Sequence, residues 1–194
     1  MSSVRTAGRA DRARVAAVLA RAFAEDPAMS WIYPDPADRA RRLPRLFALL
    51  FDADESGMRL ITGGGEAATL WRGPGQASTG LLAMIRQAWP MWRALGSALP
   101  RALALSNAID AHMPSGDFWY LHIAGCDPSA EGRGLGGEVI RAGLSRVAQR
   151  LPAYLETATE QNIGLYQRLG FAVTDTWRVG HDGPTFWSML RPAD

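Results

Sequence analysis

Residues Glu131 to Gly137, with the sequence E-G-R-G-L-G-G, have the composition of a loop that binds phosphate. They follow an apolar run that predicts a strand, Phe118 to Cys126, and precede a helical pattern from Leu135 to Gln149. Glycines let the backbone approach a ligand closely, and the first amides of a helix have no partner inside it. This order predicts an anion site at the start of the helix, formed by Gly132, Arg133, Gly134, Leu135, Gly136 and Gly137.

Two other phosphate-binding motifs contain similar glycines. The run G-R-G-L-G-G also satisfies the dinucleotide fingerprint, and Glu156 lies near the spacing at which that motif places its acidic residue. However, a predicted hairpin and a helical region precede the loop, and too few strand–helix units follow it. These features disfavour a nucleotide-binding oxidoreductase. A P-loop is excluded because no Lys-Ser or Lys-Thr pair follows the glycines.

Candidate proton carriers lie on the two predicted strands beside this loop. Tyr120, His122 and Ala124 share one face of their strand, because side chains alternate with a period of two. An imidazole titrates near neutral pH and is suited to accept a proton. Glu156, in the predicted strand Ala153 to Thr157, is the rival candidate. The sequence leaves open which of the two acts as a base.

Two motifs in this order resemble the GNAT family of N-acetyltransferases. The family signature Q/R-x-x-G-x-G/A follows a strand, and the chain has A-G-C-D-P-S-A-E-G-R-G-L-G-G at that point. The segment Asn162 to Phe171, N-I-G-L-Y-Q-R-L-G-F, is similar to the family pattern N-x-x-x-Y-x-x-x-G-F. The resemblance implies acetyl-CoA as the cofactor. Glu131 departs from the family's Gln or Arg, and its carboxylate would repel phosphate.

The resemblance also implies roles for individual residues. Asn162 would contact the pantetheine arm, and Tyr166 would be the general acid that protonates the leaving thiolate. The acetyl carbonyl would bind a strand that splays at Ala124, Gly125 and Cys126, with Gly125 easing a bulge. Arylalkylamine N-acetyltransferases have a histidine at the position of His122, whereas puromycin-type enzymes have a small residue there. Glu156 would accept a proton through water or hold the substrate ammonium.

Three further segments are similar to puromycin N-acetyltransferase and its bacterial relatives. They are A-F-A-E-D-P, P-A-Y-L-E-T-A-T-E-Q-N and G-P-T-F-W-S-M-L-R-P. This similarity implies a bacterial enzyme that acetylates a primary amine of a small molecule by direct attack in a ternary complex. An amine of a protein or peptide, and a non-catalytic module that binds acyl-CoA, remain alternatives. The candidate acceptor pocket contains Tyr120, Glu156 and aromatic residues, of which Trp31 is the first choice and Tyr33, Trp89 and Trp92 are others.

The elements that must position these residues follow from periodicity. We expect one α/β (α+β) domain over residues 1–194, in the GNAT fold, with a mixed, mostly antiparallel sheet of six or seven strands flanked by helices. Predicted strands are 4–7, 58–62, 67–71, 118–126, 153–157, 171–176 and 185–190. Predicted helices are 10–24, 37–54, 135–149, 162–169 and a region 81–113 interrupted at Pro90 and Pro100, with loops at 26–36 and 73–79.

Composition restricts the remaining possibilities. The net charge of +2 gives no reason to expect a nucleic-acid partner. Cys126 is the only cysteine, so no internal disulfide forms, and no metal-ligand spacing is present. No signal peptide or membrane-spanning run is recognisable, which predicts a cytoplasmic protein without a membrane partner. The sequence leaves a monomer and a homodimer equally open.

Overall fold

The structure is a computed structural model of the 194-residue chain and describes residues 3–54, 57–76, 88–147 and 151–193, without the side chains of residues 88–90. Its strands are β1 (Val4–Thr6), β2 (Met58–Thr62), β3 (Ala67–Arg72), β4 (Trp119–Cys126), β5 (Ala153–Thr157), β6 (Ala172–Arg178) and β7 (Thr185–Arg191). Its helices are α1 (Arg12–Ala22), α2 (Pro27–Ile32), α3 (Pro36–Ala53), α4 (Ala88–Leu95), α5 (Leu99–His112), α6 (Leu135–Leu144) and α7 (Ile163–Gln167).

The strands form a seven-stranded sheet in the order β1-β2-β3-β4-β5-β7-β6. All neighbouring strands are antiparallel except β4 and β5, which are parallel. This confirms the predicted mixed, mostly antiparallel sheet. It also differs from the parallel sheet that a dinucleotide-binding fold requires.

Strands β4 and β5 separate soon after they meet. Their pairing consists of Trp119 with Ala153 and Tyr120 with Tyr154, whereas β4 continues along β3 as far as Cys126. Within the described ranges, the backbone groups of β4 that face β5 beyond Tyr120 therefore have no strand partner. The sheet opens there, as the resemblance implied for the strand that ends at Cys126.

The bulge in β4 lies at His122, so the prediction that Gly125 eases a bulge is wrong. Trp71 pairs with Leu121 and Leu70 with Ile123, which leaves His122 as the extra residue. Gly125 has another function: a Cβ there would lie 2.9 Å from both Ala22 Cβ and Leu19 Cδ2. Helix α1 can pack this closely on β4 because the position lacks a side chain.

Helices cover both faces of the sheet. Helices α1 and α3 pack together over β3 and β4, in a core that includes Leu19 and Phe47. Helix α6 covers the opposite face, where Gly143 lies against the ring of Trp71. The two layers fix β4 between them. In the part of the chain that the structure describes, no helix is long and apolar enough to cross a membrane.

Helix α2 lies within 26–36, which was predicted to be a loop because of its prolines. Asp26 is the N-cap of this helix, since its Oδ1 accepts hydrogen bonds from the amides of Ala28 and Met29 at 2.9 and 3.0 Å. Pro27 occupies the first turn, where a proline removes no helical hydrogen bond. The Asp-Pro pair therefore starts a helix.

Helix α4 contains Pro90, but the residues that would show an interruption of the helical region before it, 81–87, lie outside the described residues. The helical path breaks at residues 96–98, where Gly96 has a φ of +52°. Pro100 lies in the first turn of α5. Helix α6 ends at Leu144, earlier than predicted. Residues 77–79 of the predicted loop, the predicted helical start at 81–87 and residues 148–150 lie outside the described residues.

Candidate functional site

A cavity of about 600 Å³ lies where β4 and β5 separate, beneath helices α2 to α5. Its sheet end is polar and contains Tyr120, His122, Glu156, Asn162 and Tyr166. These residues lie far apart in the sequence and meet because β4, β5 and α7 converge on the opening. Among the described residues, no cluster of three or more His, Cys, Asp and Glu side chains could hold a metal ion.

Glu156 projects from β5 into the cavity wall. The hydroxyl of Tyr120 donates a hydrogen bond to its Oε1. Its Oε2 is shielded from solvent and has no hydrogen-bond partner among the described residues. Burial raises the pKa of Glu156 to about 8, although the Tyr120 hydrogen bond and the charge of Arg72 lower it. The site thus contains a buried carboxyl group that keeps its proton near neutral pH and lacks a partner for one oxygen.

His122 is held by a buried carboxylate that the sequence analysis did not identify. Its Nδ1–H donates to Asp54 Oδ2 at 2.6 Å, and Arg72 Nε donates to Asp54 Oδ1 at 2.7 Å. The Asp54 side chain is fully buried. Desolvation raises its pKa, but His122 and Arg72 outweigh that effect, and the net shift is downward. The ionised carboxylate keeps the imidazole proton on Nδ1, so Nε2 is the ring atom that can accept a proton.

Tyr166, from α7, lies at the same end of the cavity. Its ring packs edge-on against Phe171, with centroids 6.1 Å apart, and only 7% of the residue is exposed. Among the described residues, none forms a hydrogen bond with its hydroxyl. Burial, followed by the charges of Glu156 and Asp26, raises the pKa of Tyr166 above its ordinary value. The phenol therefore keeps its proton at neutral pH and can donate it.

Asn162 occupies the N-cap position of α7 but does not cap it. No hydrogen bond joins its side chain to the first turn of the helix. Its side chain lines the cavity instead. An asparagine at this position that leaves the helix uncapped has its amide available to a ligand.

The loop before α6 has the geometry of an anion site. Gly132 and Gly134 both have a φ of +75°, which other residues rarely adopt. Gly134 is the N-cap of α6, and within the described ranges the amides of Leu135 and Gly137 have no acceptor. Arg133 is exposed, with its guanidinium 3.7 Å from Glu66. Glu131 is also exposed and adds a negative charge beside these amides.

Cys126 lies between β4 and this loop. The amide of Gly136 donates to its sulfur, and a Cβ on Gly136 would lie 3.8 Å from Cys126 Cβ. Burial, followed by the charges of Asp127 and Glu131, raises the pKa of the Cys126 thiol. The uncharged thiol is a poor nucleophile. Gly125 and Cys126 thus connect the sheet opening to the helix start, while Ala124 lines the cavity.

Of the aromatic candidates for the acceptor pocket, Trp92 lines the cavity, whereas Trp31 and Tyr33 do not. Trp31 lies in the core outside the cavity lining, with the guanidinium of Arg101 5.7 Å from its ring centroid. Tyr33 is buried, and its hydroxyl donates to the carbonyl of Ala94. Trp92 lines the cavity and is 58% exposed. The side chain of Trp89 lies outside the described residues.

Two residues of the site were not predicted from the sequence: Asp54, which holds His122, and Arg72, which holds Asp54. Asp54 follows the last turn of α3, where an acidic residue is ordinarily a solvated helix end. Arg72 offered a weak signal, because it closes the otherwise uncharged strand A-A-T-L-W-R. A charge at the end of a buried strand requires a partner, but no spacing in the sequence identifies that partner.

Known structures have the same fold. A Corynebacterium glutamicum protein, described as histone acetyltransferase HPA2 and related acetyltransferase, is 26% identical to this chain. Its TM-score is 0.75, over 100% of this chain and 97% of that one. Arylalkylamine N-acetyltransferase 2 from Aedes aegypti is 14% identical, with a TM-score of 0.60 over 100% and 99%. The NatC complex bound to Gag peptide and CoA is 11% identical, with a TM-score of 0.53 over 100% and 99%. No family model matches the sequence. The chain has the GNAT acetyltransferase fold.

Proposed function

We propose that residues 1–194 form one acetyltransferase domain that transfers an acetyl group from acetyl-CoA to the primary amine of a small molecule. One observation carries this proposal: Glu156, His122 and Tyr166 meet at the point where β4 and β5 separate. The amides without an acceptor at the start of α6 lie at the end of the loop that follows β4. The similarity to N-acetyltransferases of this fold supports it.

The residues present fit coenzyme A along its length. The amides of Leu135 and Gly137, with the left-handed Gly134, form a cradle that would hold the pyrophosphate. Asn162, whose amide is not used for capping, would bind the pantetheine arm. The free edge of β4 at Ala124 would bind the acetyl carbonyl. When bound, acetyl-CoA supplies an acetyl group activated as a thioester.

The polar end of the cavity supplies the proton chemistry for direct attack in a ternary complex. An amine arrives as an ammonium ion beside Oε2 of Glu156, and Glu156 gives up its proton to solvent, because an adjacent cation favours the ionised carboxylate. His122 then accepts the ammonium proton at Nε2, since Asp54 holds the other ring nitrogen as a donor. The neutral amine that results is the nucleophile.

Tyr166 completes the proton transfer. Its hydroxyl is protonated and has no partner among the described residues, so it can donate to the departing thiolate. Cys126 takes no covalent part, because its thiol is uncharged and donates only weakly to nearby carbonyls. The second proton of the attacking nitrogen would restore the Tyr166 phenol, and His122 would release the first to solvent, so that direct attack on the thioester needs no acetyl-enzyme.

The experiment that tests this proposal compares Tyr166→Phe with Tyr154→Phe. Tyr154 is a matched control, because its hydroxyl bonds to Ser188 at 2.9 Å and does not line the cavity. We expect Tyr166→Phe to lower kcat about 100-fold or more while acetyl-CoA affinity, measured by calorimetry, stays unchanged. Tyr154→Phe is expected to retain kcat. A wild-type protein that binds acetyl-CoA but acetylates no amine would instead be a non-catalytic acyl-CoA-binding module.

The proposed acceptor is a small-molecule amine. A cavity of about 600 Å³ is of the size that small-molecule ligands occupy, which favours a small-molecule amine. Specificity of the puromycin type stays a prediction from the sequence. Acetylation of puromycin, scored against other small amines and an N-terminal peptide, measures it.

A further inference from the structure

Among the described residues, the buried lining at the helix end of the cavity is apolar, while Ser106, Asn107 and Asp110 line the cavity from exposed positions on α5. The residues of this buried lining come from α2, α3 and α5: Ala28, Met29, Ile32, Leu46, Leu49 and Leu105. The polar residues described above lie at the sheet end. A molecule that fills the cavity therefore contacts polar groups with one end and hydrocarbon with the other.

We infer that the acceptor is a primary amine with an uncharged, apolar tail, aliphatic or aromatic. This inference rests on the proposed function, because it identifies the Glu156 end of the cavity as the place where the amine reacts. The tail extends toward α2, α3 and α5, where its burial removes apolar surface from water.

The other two described carboxylates that line the cavity give a charged tail no ionic partner in its buried apolar part. Asp26 lines the wall, but its Oδ1 accepts the amides of Ala28 and Met29, and its Oδ2 accepts the Thr159 hydroxyl at 3.4 Å. Asp110 lines the cavity from an exposed position on α5, close enough to Glu156 for its charge to raise the pKa of that group, which places it toward the reactive end. Beside the buried apolar residues, a charged tail would lose its hydration without an ionic partner in return.

A series of amines tests the inference through kcat/KM. Propylamine, pentylamine and heptylamine are compared with 1,5-diaminopentane, which matches pentylamine in length but carries a second cation. We expect kcat/KM to rise up to about fourfold for each added methylene, and pentylamine to exceed the diamine at least tenfold. Equal or better use of the diamine, or no dependence on chain length, would overturn the inference.

Two variants on α5 provide a matched test of the same inference. Ile109 lines the cavity, whereas Ala104 is exposed on the same helix and does not line it. Ile109→Glu places a carboxylate against the tail, so we expect the preference for pentylamine over the diamine to fall at least tenfold. Ala104→Glu is expected to keep that preference. An unchanged preference in a folded Ile109→Glu protein would contradict the assigned tail site.

Calorimetric binding of the amines separates this inference from the proposed function. If amines bind more tightly as they lengthen but none is acetylated, the proposed function fails and the apolar site remains. If amines are acetylated without dependence on tail length, the proposed function remains and the inference fails. If Ile109→Glu does not fold, the dependence of amine affinity on tail length, measured by calorimetry with wild type, still tests the inference.

Discussion

Glu156 links the chemistry of the site to the stability of the protein. Its pKa rises from 4.5 to about 8 on folding, chiefly because burial disfavours the charged form. Between these two pH values the unfolded chain has lost the proton and the folded chain retains it. Stability is therefore lost as pH rises through this window, and both states are protonated below it.

We expect Glu156→Gln to remove this loss. The free energy of unfolding of wild type should fall between about pH 5 and pH 8 relative to the variant, by an amount on the order of a few kcal/mol. Urea denaturation across this range measures the difference. Glu160→Gln, at an exposed glutamate nearby, should retain the wild-type slope. Parallel slopes for wild type and Glu156→Gln would show that Glu156 ionises normally in the fold.

Asp54 is a positioning residue for His122. Asp54→Asn removes the carboxylate that keeps the imidazole proton on Nδ1, so we expect kcat/KM to fall about 10–100-fold, through kcat more than through KM. His122→Gln should abolish the limb of the pH profile that rises with pH. Persistence of this limb in His122→Gln would assign the base to Glu156, and an unchanged kcat in Asp54→Asn would reduce Asp54 to a structural role.

At the residue scale, local sequence identified the groups that lie near the glycine-rich loop before α6. Tyr166 and Asn162 belong to one short motif, and His122 and Glu156 lie on strands whose alternation is readable. Asp54 could not be predicted, because it contacts His122 only through the packing of α3 against the sheet. The assignment of Trp31 to the acceptor pocket shares this weakness, since helical spacing does not distinguish a cavity wall from a core.

At the scale of elements, the close packing of α1 on β4 determines where the sheet opening lies. A Cβ on Gly125 would approach Leu19 and Ala22 to 2.9 Å. We therefore expect Gly125→Ala to lower the free energy of unfolding by about 1–3 kcal/mol, measured by urea denaturation. Gly136→Ala is the control, because its nearest contact is 3.8 Å and alanine favours a helix. Equal stability of the two variants would contradict the packing argument.

Element type was predictable wherever periodicity extends over several turns. Helices α1 and α3 and the strands of the sheet repeat their apolar residues clearly, and each was predicted. Helix α2 was missed because two turns of chain contain too little periodicity, and its prolines were taken as breaks. The pair Asp26-Pro27 is better interpreted as an N-cap followed by the first helical residue.

At the scale of the whole molecule, the mixed sheet and a splayed strand at Ala124, Gly125 and Cys126 were predicted, but the residue at which the opening begins was not. The pairing shows that β4 leaves β5 after Tyr120 and bulges at His122. Both features depend on the register between strands, which local patterns specify only weakly. The chemistry of the site therefore depends on a long-range property of the fold.

Measuring both products of one reaction tests acetyl transfer from acetyl-CoA to an amine most directly. Purified protein is mixed with acetyl-CoA and heptylamine, and the released thiol and acetylated amine are quantified, the latter by mass spectrometry. We predict equal amounts of both products, amine-dependent thiol release, and a strong loss of both in Tyr166→Phe. Acetyl-CoA binding without amine-dependent thiol release from any amine, including puromycin and a peptide, would contradict the account.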